Sequence, residues 1–516
     1  MAVLTALSGR ALAALLPDLR VAPGSAYTAL ARAILSLLLD GRVAPATRLP
    51  SERELAAALG LSRATVTAAY NALRADGLLS SRTGSGSVTV LPRGVGPAGG
   101  GGSTNGRGAA AGASSGPGRR ALSAARRPAG RPASRYADIR PLVEAAPAED
   151  LIDLSCATFP APAQLPELVV RATAALGPHL SGSGYEPTGL PALRERIAAR
   201  FTARGVPTTT DQILVTNGAL HALDLVLRLL VGPGERVLTE LPTYAGLLDA
   251  VRASGARALA VPVAPEGGWQ LAAMTAALRH GSPRLAVLIP DFHNPTGHLV
   301  PDGDRAELLR AARRAGTTVV VDESFVDVGF VAPATPAAAI DPGVVSVGSL
   351  SKPVWGGLRL GWVRAPVRLI ERLAMVRAAT DMGQAVLEQL IGIEVFDRLD
   401  EITAARIEQV RPRRDFLLDR LAETLPAWRA PVPSGGLSLW VELDAPLATP
   451  LVMRAAQYGV RIVAGSRFGV DGTMERFLRL PYALPEDQLA TAVQRIAAAW
   501  SDLGAGGSGY QPLIVA

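Results

Sequence analysis

One lysine draws attention by its surroundings. In VSVGSLSKPVWGGLRLGW (345–362) a β-branched run leads to Lys352, with Ser349 and Ser351 ahead of it and paired glycines and Arg359 behind. Lysine is common in loops, so a strand followed by an ordinary surface loop is the plain reading. Four other stretches also set polar groups just past apolar runs. ILVTNGALHALDLVLRLL turns at Asn217-Gly218 and then becomes helical; its helix N-terminus offers open N–H groups at Asn217, Gly218 and Ala219, a seat for phosphate. LPTYAG brings Tyr244 just past a strand, able to lie flat on an aromatic ring. DFHNPTG puts Asn294 in a turn fixed by Pro295 and Gly297, and VVVDESF ends a buried strand at Asp322. Singly, each has an ordinary role: Asp322 as a helix N-cap, Tyr244 as core packing, Asn294 as a turn residue. As a set they describe one ligand, a flat, phosphorylated, cationic heteroaromatic aldehyde. Pyridoxal phosphate needs an amine to condense with, an acid for its ring nitrogen, a donor to its phenolate, a stacking ring and a phosphate cup. Lys352, Asp322, Asn294, Tyr244 and the 217–219 turn supply these in that order. Ser349, Ser351 and Arg359 complete the phosphate grip.

The elements that must position these groups follow from the pattern. Between 150 and 500, the short runs RVLTEL, ALAVPV, RLAVLIP, TTVVVDES and VVSVGSL alternate with helical periodicity. That implies an α/β unit with a mainly parallel sheet and crossover helices. Such sheets gather ligands at the C-terminal ends of their strands. The chain has 516 residues, too many for one core. Residues 93–140 are rich in Gly, Ala, Pro, Ser and Arg and read as a disordered linker, with a reach of roughly 35–40 Å for about 45 residues. Its arginines are either solvated or in loose contact with DNA phosphate. The expected division is 1–92 (core 25–90), the linker 93–140, and a large unit 141–516.

The front unit reads as helices followed by a hairpin. SAYTALARAILSLLLDGR stops at Gly41. LPSERELAAALG opens on Ser51 as an N-cap, with Glu54 closing a capping box, and ends at Gly60. SRATVTAAYNALRADG follows after a two-residue break with Ser62 as cap, which is helix-turn-helix spacing. LLSSRTGSGSVTV gives two β runs around a Gly84-Ser85-Gly86 tip. The second helix can present Ser62, Arg63 and Thr65 to base edges or phosphates, Arg48 and Arg53 can hold phosphate, and the hairpin with Arg82 can lie along the backbone or minor groove. A helical protein-interaction module is the competing reading.

Two resemblances rest on these motifs. RLPSERELAAALGLSRATVTAAYNALRADGLLSSRTGSG resembles the winged helix-turn-helix of GntR-class bacterial regulators, in which the residues matching Arg48, Ser51, Arg53, Ser62, Arg63, Thr65 and Gly86 approach DNA. N-P-T-G, the strand-terminal Asp, S-x-S-K and the following R-L-G resemble the fold type I, aspartate-aminotransferase-like enzymes over about 150–500. That likeness implies a dimer in which Tyr185 reaches the phosphate of the neighbouring subunit, and an Arg479 that forks onto an amino acid's carboxylate. It also marks a departure: the family's usual Tyr, three residues after the acid, is Phe325 here. The two units in this order resemble the MocR-type subfamily of GntR regulators. The likeness implies a cytoplasmic, homodimeric transcription factor that binds promoter DNA and responds to pyridoxal phosphate or its adduct with an amino acid or amine. The alternative is a working aminotransferase with a tethered DNA-binding unit; a scaffold without cofactor is disfavoured by Lys352 and Asp322.

Composition constrains the rest. The net charge of +7 points weakly to polyanions. The single cysteine, Cys156, excludes a disulfide within the chain and fits a reducing compartment. No run is long and apolar enough for a membrane span, and the apolar start, 1–20, reads as an amphipathic helix rather than a signal peptide. Five histidines occur without ligand spacing, so no metal is expected. His293 reads as either a pocket residue or a plain loop histidine.

Overall fold

A computed structural model describes residues 7–13, 15–16, 26–39, 43, 47–75, 79–82, 86–89, 150–264, 268–470 and 473–507. The expected linker, 93–140, lies outside the described residues, as do Gly84 and Ser85 of the expected hairpin tip and Gly41. The chain divides into two compact units, Met1–Asp138 and Ile139–Ala516. No helix among the described residues is long and apolar enough to cross a membrane.

In the first unit, α1 (Gly9–Ala13), α2 (Ala26–Leu39), α3 (Glu52–Leu59) and α4 (Arg63–Ala75) precede a two-stranded ribbon, β1 (Leu79–Arg82) and β2 (Gly86–Thr89). Ser51 Oγ accepts the Glu54 N–H at 3.2 Å, and Gly60 closes α3 in the left-handed region at φ 65°, a conformation that costs glycine little. The capping box is only half formed. Glu54 turns its carboxylate to the Gly9 N–H at 2.6 Å, so it binds α1 to α3 instead of closing on Ser51. Gly86 is not at the hairpin tip; it pairs with Arg82 as the first residue of β2. Leu55, Val66, Ala69, Tyr70 and Leu73 form the apolar interior, and the Tyr70 hydroxyl donates to the Pro50 carbonyl at 3.0 Å.

The second unit holds β3 (Ile152–Asp153), β4 (Ile213–Thr216), β5 (Arg236–Leu241), β6 (Arg257–Ala264), β7 (Gly268–Trp269), β8 (Leu285–Leu288), β9 (Thr318–Asp322), β10 (Val345–Ser349), β11 (Gly361–Arg364), β12 (Ser438–Glu442), β13 (Val460–Arg461), β14 (Val463–Ala464) and β15 (Phe477–Pro481). Its main sheet has eight strands in the order β4-β11-β10-β9-β8-β5-β6-β7. The pairs from β10 through β9, β8 and β5 to β6 are parallel, and β11 runs antiparallel to both β10 and β4. Alternate residues feed two cores. Ile213, Val215, Ala286, Leu288, Val319 and Val321 enter one; Leu214, Leu285, Val287 and Val320 enter the other. Both faces are covered by helices, which is why these strands read as unbroken apolar runs rather than as alternation. A second lobe, built on an antiparallel sheet β12-β15-β14 and the helices Leu399–Thr424 and Glu486–Gly507, has its own core around Leu439, Val441, Leu478 and Leu480.

Leu288 is 1% exposed at the centre of the main sheet. Leu288→Ala should cost about 2–5 kcal/mol, measured as a lower urea midpoint for the large unit with an unchanged slope.

Candidate functional site

The strand order explains how distant motifs meet. Thr216, Gly361, Ser349 and Asp322 occupy one edge of the sheet: Thr216 pairs with Gly361, Gly361 with Ser349, and Asp322 lies beside Val347 on the neighbouring strand. β8 and β5 follow in the same direction. The 217–219 turn, Arg359, Ser349, Ser351, Lys352, Asp322, Asn294 and Tyr244 therefore leave neighbouring strands at a common edge.

Lys352 follows β10. Its Nζ donates to the Ala157 carbonyl at 3.0 Å and sits 5.5 Å from the centre of the Phe325 ring. Burial pushes its pKa down to about 8; the Arg479 charge adds to this, while Cys156 and Asp322 oppose it. Asp322 is 6% exposed and accepts the Ser324 N–H at 2.9 Å. Burial pushes its carboxyl above the ordinary value, against the hydrogen bonds from Ser324 and the Lys352 charge. The bond to Ser324 closes a turn, not a helix, so an N-cap role does not apply. Among the described residues neither Lys352 nor Asp322 has an ion-pair partner.

The turn expected to seat a phosphate offers fewer open N–H groups than its sequence suggests. The helix Ala219–Leu230 has no side-chain cap, and Gly218 precedes it at φ 82°. Yet the Asn217 N–H donates to His221 Nδ1 at 3.1 Å and the Gly218 N–H to the Thr216 carbonyl at 2.9 Å. Of the three expected N–H groups, only that of Ala219 stays open among the described residues. Asn217 turns its side chain to Asp381 (Nδ2 to Oδ2, 2.5 Å) and its carbonyl to Arg359 Nη2 (2.9 Å). Arg359, in the left-handed region at φ 48°, thus leans over the turn. A Cβ on Gly361 would stand 2.5 Å from the Gly218 carbonyl carbon, so the strand and the turn approach as closely as glycine allows. Ser349 Oγ bonds Ser351 Oγ at 3.0 Å and the Leu360 carbonyl at 3.1 Å, fixing the turn that carries the lysine.

Asn294 is 7% exposed in a turn with a cis bond to Pro295, and its side-chain amide hydrogen-bonds no protein group among the described residues. Such a buried amide calls for a partner. Tyr244, just before its helix, folds its ring over Gly246 and packs partly against the apolar core. Arg479, on β15, is 8% exposed, donates to the Ser155 carbonyl and faces the Phe468 ring at 5.0 Å. Tyr185 is 62% exposed. His293 is buried at 2% in its loop, bonded to Thr296 at 2.8 Å and pushed down to about pKa 3 by burial, so it is a neutral interior group.

In the first unit Ser62 Oγ accepts the Thr65 N–H at 3.1 Å and meets Thr65 Oγ1 at 2.8 Å, so the two hydroxyls occupy each other at the start of α4. Arg48, Ser51, Arg53, Ser62 and Arg63 are exposed. Arg48 bridges to Val88 of β2, and Arg82 pairs with Gly86 in the ribbon.

Sequence reasoning missed a supporting pair. Arg377, fully buried, holds Asp381 (Nε to Oδ1, 2.8 Å) and the Pro187 and Val215 carbonyls; Asp381 in turn holds Asn217. Asp381 lies 164 residues from Asn217 and no motif joins them. The segment Ser155–Ala157, which meets both Arg479 and Lys352, was equally silent. No group of three or more His, Cys, Asp or Glu arranged for a metal occurs among the described residues.

A residue family described as aminotransferase class I and II matches 149–496, and one described as bacterial regulatory proteins, gntR family, matches 26–88. The 2-aminoadipate transaminase of Thermus thermophilus is 33% identical over 62% of this chain and 82% of its own. The probable rhizopine catabolism regulatory protein MocR of Rhizobium meliloti is 31% identical over 68% of each chain. Among solved structures, the α-aminoadipate aminotransferase LysN of Thermus thermophilus, complexed with N-(5'-phosphopyridoxyl)-L-leucine, superposes with a TM-score of 0.63 at 30% identity, covering 71% of this chain and 95% of that one.

The lysine offers a direct test. Its folded pKa of about 8 lies below the ordinary 10.5, so between those values the unfolded chain binds more protons and stability rises with pH. Below about 8 the burial penalty is fully present. In urea titrations of cofactor-free protein, the wild type should gain stability relative to Lys352→Met from the lower to the upper end of that window. Parallel pH responses would show an ordinary amine.

Proposed function

This chain belongs to the class I and II aminotransferase family, in its MocR-type fusion with a GntR helix-turn-helix domain, and we propose that it is a pyridoxal-phosphate-dependent transcriptional regulator. One observation carries the cofactor half: half-buried Lys352 and buried Asp322, at adjacent strand ends, influence each other's charge, and neither has an ion-pair partner among the described residues. The unpaired amide of Asn294, the uncapped helix at Gly218 and the close approach of Gly361 fit the same group.

Pyridoxal phosphate, when bound, supplies an aldehyde carbon and an electron-accepting ring. Lys352 offers the amine. Asp322 holds a proton on the ring nitrogen, and Asn294 donates to the phenolate. Tyr244 stacks on the ring. The Ala219 N–H, Ser349, Ser351 and Arg359 hold the phosphate, with Gly218 and Asn217 shaping the turn and Tyr185 of a second copy completing the grip. Arg479 receives the carboxylate of an amino acid effector. In the first unit Arg48, Ser51, Arg53, Arg63, Arg82 and Gly86 meet DNA, while Ser62 and Thr65 fix the helix that enters the groove. We place the reading head at 1–92, the linker at 93–140 and the effector unit at 141–516, in a cytoplasmic homodimer. The effector regulates through unequal affinity for two arrangements of that dimer.

The T. thermophilus transaminase favours a second reading, a working aminotransferase with a tethered head. Phe325 argues for regulation: its ring has no hydroxyl, which leaves Asn294 the lone donor to the phenolate. Steady transamination with several amino acids, without specific DNA retention at moderate salt, would favour the enzyme.

Lys352→Ala should abolish the visible absorbance that the wild type develops with pyridoxal phosphate; a surviving band would assign the cofactor to another amine. Arg63→Ala should weaken promoter binding by about 1–3 kcal/mol in a fluorescence titration while leaving that absorbance intact. Unchanged affinity would remove Arg63 from the interface.

A further inference from the structure

Two segments meet at the Lys352 amine. One is the turn after β10 that carries the lysine; the other runs over 155–160, where the Ala157 carbonyl accepts Nζ at 3.0 Å. The same guanidinium holds both. Arg406, on the helix Leu399–Thr424, donates from Nη2 to the Pro160 carbonyl at 2.5 Å and to the Val354 carbonyl at 3.3 Å. Pro160 lies three residues beyond Ala157, and Val354 two beyond Lys352. One nitrogen therefore directs its two hydrogens to either side of the Nζ–Ala157 bond. The guanidinium also lies over the Phe159 ring, 4.5 Å from its centre, and Nη1 reaches Gln409 Oε1 at 3.3 Å. Phe159 belongs to the second lobe's core and Val354 to that of the main sheet, so the clamp crosses from one lobe to the other.

Arg406 is 7% exposed and has no ion-pair partner among the described residues. Burial pushes its pKa down, and the Arg413 charge adds to this. Its Nε is buried and meets no acceptor among the described residues. The other buried arginines of this unit are placed differently. Arg305 and Arg377 lie against Asp291 and Asp381. Arg364, also without an ion pair, holds the Pro342 and Val344 carbonyls of a single turn before β10. Arg479 holds the Ser155 carbonyl. Arg406 alone among these five joins two separate segments that both border the lysine. A buried cation without an acid is costly, and an apolar side chain would pack there without that cost. What the guanidinium adds is a rigid fork of donors.

We infer that Arg406 is a positioning residue: its fork holds the segment 155–160 against the lysine-bearing turn and so keeps water from the Lys352 amine. The charges that act most on that amine are those of Arg479, Cys156, Asp322 and Arg359. Arg406 acts on it through the two carbonyls. Without the clamp the 155–160 segment draws back, water reaches Nζ, and the pKa climbs from about 8 towards 10.5. A protonated amine has no lone pair to offer a carbonyl carbon, so the lysine then captures an aldehyde only at higher pH. The inference deepens the cofactor reading, but its main readout needs no cofactor.

Lys352 is the only lysine in the chain, so amine labelling reports on it directly. The test reacts the full-length, cofactor-free protein with trinitrobenzenesulfonate across pH, with peptide mapping to set aside the α-amine. The wild-type rate should rise with a midpoint of about 8. Arg406→Met keeps an apolar stem over Phe159 but no donor. Its midpoint should move up by about one pH unit, leaving about a tenth of the amine free at pH 8 instead of about half. Arg406→Lys keeps a cation without the fork and should move it less, in the same direction. Arg364→Met should leave it in place. A folded Arg406→Met protein with the wild-type midpoint would overturn the inference; if that variant does not fold, a wild-type midpoint in Arg406→Lys overturns it instead. An equal shift in Arg364→Met would show general loosening and overturn it too. A wild type that labels with the low midpoint yet develops no visible absorbance with pyridoxal phosphate would overturn the cofactor reading, while the clamp stands or falls by the labelling of the variants.

Discussion

A parallel sheet covered on both faces confines most polar chemistry to the ends of its strands, and a group within a strand, such as Glu240 in β5, is held by hydrogen bonds to Trp269 and Ile289. In β9, Val319, Val320 and Val321 bury alternate side chains in two different cores, which leaves no polar position among those three residues. Asp322, at the end of β9, is the first polar position after them, and Lys352 lies beyond the end of the next strand. The same confinement that permits these groups also perturbs them. Water is scarce there, so the amine falls and the carboxyl rises towards neutrality, each held back by the other.

What was legible in the chain follows from this. β-branched runs ending in polar residues marked the strands, and RVLTEL coincides with β5 from Arg236 to Leu241. The strand-end residues were readable because each sits in a local turn with its own grammar: Asn-Pro-Thr-Gly, Asn-Gly, Ser-x-Ser-Lys. The occupation of those turns was not. Asn217 looks like an open donor in sequence, but His221 one turn along its helix takes its N–H and Asp381 takes its amide. Such contacts depend on which distant segment the fold brings alongside, and no periodicity encodes that. His293 shows the same limit: the sequence allows either a pocket residue or a plain loop residue, and its burial comes from the turn being interior.

The front unit shows the same limit on a smaller scale. Ser51 and Glu54 have capping-box spacing, and Ser51 behaves accordingly. Glu54 had a second option that local rules do not contain, a free amide at the start of α1. The reciprocal arrangement at Ser62 and Thr65 satisfies both hydroxyls within one turn, which leaves the neighbouring arginine as the freer group on that face.

Glu54 also makes the boundary of the reading head a matter of chemistry rather than of family description. The GntR match begins at residue 26, yet a carboxylate in the first helix of the helix-turn-helix is tied to the backbone at Gly9, and Leu12 is wholly enclosed. A unit trimmed to the matched segment would lose the lid over α3 and leave the Glu54 carboxylate without its backbone partner at Gly9. The leading helix therefore belongs to the head's own architecture.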